Sequence, residues 1–414
     1  MAVIVQKYGG TSVGSVERIR NVAQRVAGTW RGGHKVAVVV SAMAGETNRL
    51  IQLVRETCDR PNMREYDVVV STGEQVTIGL TAIALEALGV PSESFMAHQL
   101  HILTDSVHSK ARILDIESSR LRATLENGKV AVIAGFQGLD SNGDVTTLGR
   151  GGSDLTAVAI AAALGADMCE IYTDVEGVFT TDPNICANAR KIDRVSYDEM
   201  LEMASLGAKV LQTRSVEFAK KYSVPVHVLS SFAEKAGTYV VQEEPAMEQV
   251  LVSSVTYNKD EAKVSLRNVP DRPGVAARVF SPLAEASIVV DMILQNISRE
   301  GLTDLTFTVP KSELARALDI IRPTADELQV TEILTDENIS KVSIIGLGMK
   351  SHAGVAAKMF EALSQEGINI QMISTSEIKI SCIIQSKYTE LAVRVLHDTF
   401  QLGEKGGTVS QERL

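Results

Sequence analysis

Cysteine is scarce in this chain: Cys58, Cys169, Cys186 and Cys382 are the only four in 414 residues, far apart and with no C-x-x-C pair. That excludes a disulfide scaffold and a thiolate zinc site, and it points to reduced thiols in a cytoplasmic protein. Positive charge is in deficit, with 41 basic against 51 acidic residues and a formal net charge of -10. A phosphate backbone, and so nucleic acid, is not the expected partner. Long apolar runs are missing, since the longest, Leu155 to Ala166, falls far short of the roughly 20 residues that cross a bilayer. No leader is expected either, because Met1-Ala2-Val3-Ile4-Val5 has no basic segment before it and Gln6 interrupts it. There is no H-E-x-x-H, and His98, His101 and His108 lack cysteine or carboxylate partners at a familiar ligand spacing, so no metal site is expected.

What is present is ordinary globular composition, 45% hydrophobic and 22% charged, in a length that suggests two or three domains at about 150 residues each. Apolar, β-rich runs at Val3–Val5, Lys35–Val40, Asp67–Val70, Val130–Ala134 and Cys169–Tyr172 alternate with helical periodicity. The helical stretches are Ser15–Ala27, Glu46–Cys58, Gln75–Leu88, Ser118–Glu126 and Asp154–Leu164. Alternation of this kind predicts a mostly parallel sheet with helices on both faces. It continues to about Val241, where a charged, proline-bearing segment, 242–249, reads as a linker. Beyond it the chain repeats itself at an offset of 80 residues: Asp271–Phe280 lies over Ser351–Phe360, and Ile288–Ile293 over Ile368–Ile373. Each copy reads as strand, glycine-containing loop, helix, strand and further strand. The repeat is either a pair of ligand sensors or a dimerisation module.

Chemistry-bearing residues gather in the first 241. Lys7-Tyr8-Gly9-Gly10-Thr11-Ser12 follows the first strand, and its glycines let backbone N–H groups approach an anion while Lys7 supplies a mobile cation. It is not a Walker A loop. A second turn, Gly149-Arg150-Gly151-Gly152-Ser153-Asp154, precedes an apolar helix; Ser153 and Asp154 are residue types suited to cap it, and Arg150 offers a planar fork to a carboxylate. Two such turns suit an anionic donor and an anionic acceptor. Ser41–Thr47 and Ser71-Thr72-Gly73-Glu74 follow expected strands, where open α/β sheets bind ligands, and Glu74 suits an ammonium group. Thr173–Pro183 mixes acids, hydroxyls and Phe179, a mixture suited to a nucleoside.

Together these motifs, with Gly207-Ala208-Lys209-Val210-Leu211, resemble the amino-acid kinase family and, within it, the aspartate kinases, over essentially the whole chain. The resemblance implies a three-layer αβα kinase fold with a mostly parallel sheet over 1–241, followed by two βαββαβ ACT domains at 250–330 and 331–414. It implies ATP-dependent phosphorylation of the L-aspartate side chain, with Mg²⁺ held mainly by the phosphates. Lys7 would neutralise the transferring phosphoryl group and Asp154 would orient that lysine. Ser41, Thr47, Glu74, Arg150, Gly151, Gly152 and Ser153 would bind aspartate. Lys7, Tyr8, Gly9, Gly10, Ser12, Thr173, Asp174, Phe179, Thr180, Asp182, Pro183 and Lys209 would hold ATP; Phe179 stands where the family often has tyrosine.

Lysine, threonine or both would bind the ACT pair through Asp271, Gly274, Val275, Ala276, Asp291 and Gln295, with Asn369 and Ile370 from the second copy. A homo-oligomer built through the ACT domains is expected, with a shorter regulatory subunit from an internal start at Met247, and no further domain beyond the second repeat. A family kinase for another substrate and a catalytically silent amino-acid sensor are the alternative readings.

Overall fold

Valine-rich strands that are apolar on both faces need cover on both. In the computed structural model, which describes residues 1–208, 210–243, 252–296, 301–347, 349 and 354–404, β1 (Val3–Tyr8) lies inside an eight-stranded sheet of such strands. Next along the chain come α1 (Val16–Arg31), β2 (Lys35–Val40), α2 (Glu46–Thr57), α3 (Met63–Val70), α4 (Thr72–Ala87) and β3 (Ser92–Phe95). They are followed by β4 (Ile102–Thr104), β5 (Ile113–Ile116), α5 (Ser119–Glu126), β6 (Val130–Ala134), β7 (Gln137–Leu139), β8 (Val145–Thr147) and α6 (Gly152–Leu164). The last elements are β9 (Met168–Thr173), β10 (Arg194–Ser196), α7 (Tyr197–Ser205), α8 (Thr213–Tyr222), β11 (Val226–Ser230) and β12 (Thr238–Val241).

The strand order is β10-β12-β11-β9-β1-β2-β6-β3, parallel except between β11 and β12. Helices α1 and α4 cover the face carrying Val36, Val38, Val40, Val130 and Val132, while α6 packs on β1, β2 and β9 with α8 behind it. Three layers result, as expected. A small sheet, β5-β4-β7-β8, stands beside the large one.

One expected strand is a helix. Asp67–Val70 is β-branched but forms the last half of α3, which Asn62 caps by accepting from the Arg64 N–H at 3.0 Å. Strand propensity is a weak preference, and here buried partners for Asp67 override it. The helical run Met63–Ala87 is apolar and long enough, at 25 residues, to cross a bilayer; it packs instead on β2, β3 and β6, with Asp67 and Glu74 buried along it.

The chain forms two compact units, Met1–Phe179 with Lys191–Pro245, and Thr180–Arg190 with Ala246–Leu414. The second unit runs β13 (Ser254–Asn258), β14 (Ala262–Pro270), α9 (Val275–Glu285), β15 (Ile293–Gln295), β16 (Leu302–Val309), α10 (Leu314–Glu327) and β17 (Glu332–Asp336). Then come β18 (Ile339–Ile345), α11 (Val355–Gln365), β19 (Met372–Thr375), β20 (Lys379–Gln385) and α12 (Thr389–Thr399). Its sheets are β15-β16-β14-β17 and β13-β18-β20-β19.

The strand pairing therefore departs from the expected partition at 330/331. β17 closes the first βαββαβ sheet, whereas the second takes its outer strand, β13, from before the first: one ACT fold is inserted in the other. The repeat is otherwise faithful, with Gly274 and Gly354 at the N-caps of α9 and α11. Val255 faces the second core with Val342 and Ile344. A double-mutant cycle between Val255→Ala and Ile344→Ala, cross-strand partners in this register, should give a coupling of about 0.5–1 kcal/mol in chemical denaturation. Strict additivity of the two would contradict the shared sheet.

Candidate active site

The parallel register brings four strand ends to one edge. Tyr8 pairs with Val40 and with Tyr172, and Val40 with Ala134, so Gly9, Ser41, Gly135 and Thr173 leave the sheet side by side. Backbone bonds stitch these exits together: Gly9 N–H to Tyr172 O at 3.4 Å, Ser41 N–H to Tyr8 O at 3.1 Å, and Gly135 N–H to Val40 O at 3.0 Å. At Gly10 an added Cβ would sit 2.9 Å from Ala42 O, so only glycine lets the two turns approach this closely.

Into this edge point the charged side chains. Lys7 Nζ lies 2.6 Å from Asp154 Oδ1, each side chain 11% exposed. Asp154 occupies the first turn of α6, where the positive end of the helix dipole favours an anion. Ser12 Oγ meets Ser231 Oγ at 2.5 Å, tying the first glycine turn to the end of β11.

Glu74, in the first turn of α4 and 2% exposed, accepts from Ala42 N–H at 3.0 Å through Oε1, while Oε2 has no partner among the described residues. Burial outweighs the lowering effect of the Ala42 and Glu74 backbone N–H groups and pushes its carboxyl up to about 7. Ser41 and Thr47 are half-buried in the adjoining turn and at the start of α2. Gly152 and Ser153 are buried at the start of α6, with Gly151 exposed at its N-cap. Arg150 is exposed and makes no ion pair among the described residues. A buried acid with one open oxygen and a buried ammonium held by one carboxylate thus stand at the strand ends, and the turn before α6 carries the exposed Arg150. Such a set can take a small zwitterion with an extra carboxylate and bring it to an anionic group.

The nucleotide candidates are divided. Tyr8 points inward, 1% exposed and stacked on Tyr172 with centroids 4.6 Å apart, which leaves only its backbone to a ligand. Thr173 Oγ1 donates to Asp174 Oδ1 at 3.1 Å, and Phe179 is half-buried, bridged to Lys191. Thr180, Asp182 and Pro183 fall in the second unit. There Val255 N–H donates to Thr180 O at 2.8 Å, Tyr257 Oη donates to Asp182 Oδ2 at 2.8 Å, and Thr180 Oγ1 hydrogen-bonds His397 Nε2 at 2.9 Å. Lys209 lies outside the described residues.

The effector candidates form two groups. Asp271, Gly274, Val275 and Ala276 sit beyond the end of β14 that pairs with Leu302, whereas Asp291 N–H donates to Thr308 O. Six residues of extended β16 separate these ends by about 20 Å. Gln295, opposite Leu305, lies between. Asp291 instead pairs with Lys341, which also reaches Glu261 at 2.8 Å. Asn369 is exposed and Ile370 packs on the second core.

Sequence reasoning missed Asp67, hidden by its reading as a strand, and Ser231, although the strand preceding Ser230-Ser231 was a visible signal. It also missed Arg25, whose guanidinium lies 4.9 Å above the Tyr172 ring.

Comparisons with known proteins place the chain in a family. Residues 2–230 match the Amino acid kinase family, and residues 264–325 and 342–400 each match the ACT domain. An aspartate kinase of Stutzerimonas stutzeri is 56% identical over 412 residues, 99% of this chain and 100% of that one. The structure of E. coli aspartokinase III in complex with aspartate and ADP, an R-state, is similar at a TM-score of 0.81 and 27% identity, covering 96% of this chain and 100% of that one. That enzyme's T-state complex with lysine and aspartate is similar at 0.73 and 26%, covering 96% and 99%. The chain belongs to the amino acid kinase family and, within it, to the aspartate kinases.

Proposed function

We propose that this chain transfers the γ-phosphoryl group of ATP to the side-chain carboxylate of L-aspartate, giving 4-phospho-L-aspartate and ADP, the first step toward lysine, threonine, methionine and diaminopimelate. The observation that carries the reading is Glu74: a buried carboxylate with one oxygen open among the described residues, bonded to the Ala42 turn that packs against the glycine turn after Lys7. A substrate ammonium completes that oxygen's bonding and removes the cost of its charge. Arg150 holds a substrate carboxylate, with Ser41, Thr47 and the 151–153 backbone around it.

Aspartate's side chain is already ionised near neutral pH, so its oxygen attacks the γ-phosphorus without a base while the bond to the ADP oxygen breaks. Two anions must then be brought together, and the buried Lys7 ammonium, aimed by Asp154, offsets their repulsion. Among the described residues no group of three or more His, Cys, Asp or Glu is placed to hold a metal, so Mg²⁺ would ride on the phosphate oxygens and neutralise charge there. We place the enzyme in the cytoplasm, a setting that its four free cysteines support.

For regulation, we assign lysine, threonine or both to the ACT pair, through the Asp271 and Asp291 groups. Segment 180–190 is the route by which they act: it is anchored in the regulatory unit by Tyr257 and His397, yet it is continuous with Phe179 and Lys191 of the kinase unit. Oligomerisation through the ACT sheets is supported by their edge strands β15 and β19, whose equivalent residues Ile293 and Ile373 are exposed, with Val289 nearby. Met247, the proposed internal start, lies outside the described residues.

Lys7→Ala should lower kcat by about 10²–10³-fold in a protein whose circular dichroism is unchanged; single-turnover transfer at the parent rate would remove Lys7 from the chemistry. Affinity for L-aspartate should weaken about tenfold per pH unit below about 7, where Glu74 is protonated, and level off above it. Glu74→Gln should abolish that pH dependence along with tight binding.

The sign for stability runs the other way. A carboxyl raised from 4.5 to about 7 by folding stabilises the ligand-free fold below 4.5, and that contribution is lost as pH rises through 7. Glu74→Gln should therefore stabilise the ligand-free protein at pH 8, by up to roughly 3 kcal/mol. A lower midpoint for this variant in chemical denaturation would contradict the cause given.

Tyr257→Phe removes the hydrogen bond to Asp182 and nothing else. It should raise the concentration of lysine plus threonine needed for half-inhibition about fivefold or more, with uninhibited kcat unchanged; parent-like inhibition would rule segment 180–190 out as the route.

A further inference from the structure

Asp67 is fully buried on α3, and none of its partners is lysine or arginine. Four donors saturate it instead. Oδ2 accepts from Ser109 N–H at 2.9 Å, from Thr147 N–H at 3.0 Å and from His108 Nδ1 at 3.1 Å, and Oδ1 accepts from Thr147 Oγ1 at 2.6 Å. A well-packed apolar side chain generally stabilises a core as well as a satisfied buried charge does, so a carboxylate here signifies placement.

What it places is visible on both sides. Thr147 ends β8 and leads directly into the turn of Gly149 and Arg150. Segment 108–111 lies against that turn: Ala111 N–H donates to Thr147 O at 3.0 Å, and at Gly149 an added Cβ would sit 3.1 Å from Ser109 O. Arg150 itself is exposed and has no ion pair among the described residues, so the backbone beneath it decides where its guanidinium stands. On the other side, Asp67 lies in the helical run Met63–Ala87 that also carries Glu74. Glu74 is two turns further along on nearly the same face, about 10 Å away.

We infer that Asp67 is a positioning residue of the acceptor site: it locks the helix bearing Glu74 to the turn bearing Arg150 and so sets the distance between the seats for the substrate's ammonium and carboxylate groups. This rests on the assignment of those two residues to L-aspartate. ATP meets other turns, so the lock acts on one substrate only.

Steady-state kinetics of the full-length enzyme test it. Asp67→Asn, which turns an amide N–H toward donors, should raise KM for L-aspartate about tenfold or more and leave KM for ATP within about twofold. Thr147→Val should do the same, and Thr147→Ser, which keeps the hydroxyl, should behave as the parent. An unchanged KM for L-aspartate in folded Asp67→Asn overturns the inference, as does a parallel rise in both KM values, which marks general loosening. If Asp67→Asn does not fold, the contrast between Thr147→Val and Thr147→Ser decides by the same criterion. A parent enzyme that forms no ADP in response to L-aspartate sinks the functional reading itself, whereas an active parent with an indifferent Asp67→Asn sinks only this role.

Discussion

The catalytic unit is organised around buried negative charge, which is expensive unless something neutralises or saturates it. Among its buried carboxylates, Asp154, Asp67 and Glu74 meet that constraint in three different ways. Asp154 pairs with the Lys7 ammonium. Asp67 has four hydrogen-bond donors. Glu74 receives one backbone N–H and keeps an oxygen open. The first arrangement pairs a cation, the second gathers backbone and side-chain donors, and the third leaves one oxygen without a partner among the described residues. Function follows from the unequal treatment of chemically similar groups.

These arrangements hold only because the turns are pressed together. Gly10 against Ala42 O leaves no room for a side chain, and the strand exits are stitched at successive positions by backbone bonds. Ala42 takes part twice, through its carbonyl beside Gly10 and its N–H on Glu74. The first glycine turn and Glu74 are therefore coupled through one residue with no reactive side chain. Precision here comes from the main chain, which sheet register already constrains, more than from long flexible side chains.

That distinction explains what the sequence could and could not disclose. Strands such as Lys35–Val40 and Val130–Ala134 were legible because a buried parallel strand needs an unbroken apolar run, and the glycine turns were legible because close approach demands glycine. Lys7, Asp154, Glu74 and Arg150 are legible as candidates because they stand in or beside those turns. Asp67 was not, since its β-branched neighbours imitate a strand and its partners, His108, Ser109 and Thr147, come from segments distant in sequence. The nested ACT arrangement escaped for a related reason. Periodicity marks β13 as a strand but cannot say which of two similar sheets it joins, and internal similarity at an offset of 80 residues suggested a plain tandem.

Nesting changes how a regulatory signal can travel. A tandem pair would let the second ACT fold move as an appendage, but here its edge strand β13 precedes the first ACT fold and also binds Thr180 through Val255. The polar contacts between the two folds repeat with the fold itself. Lys341 of β18 pairs with Asp291, and Lys263 of β14 with Gln371, in equivalent positions of the repeat. One contact is an ion pair reinforced by Glu261 and the other is a hydrogen bond to an amide. Burial alone would lower the Lys341 ammonium, but Glu261 and Asp291 together hold it above its ordinary value. An effector ammonium that sought Asp291 would have to share that carboxylate with Lys341, while on the Gln371 side Lys263 has Asp336 at 3.8 Å. The two pseudo-symmetric halves therefore carry unequal charge at equivalent positions, and β13, which belongs to the second half, also binds segment 180–190 through Val255.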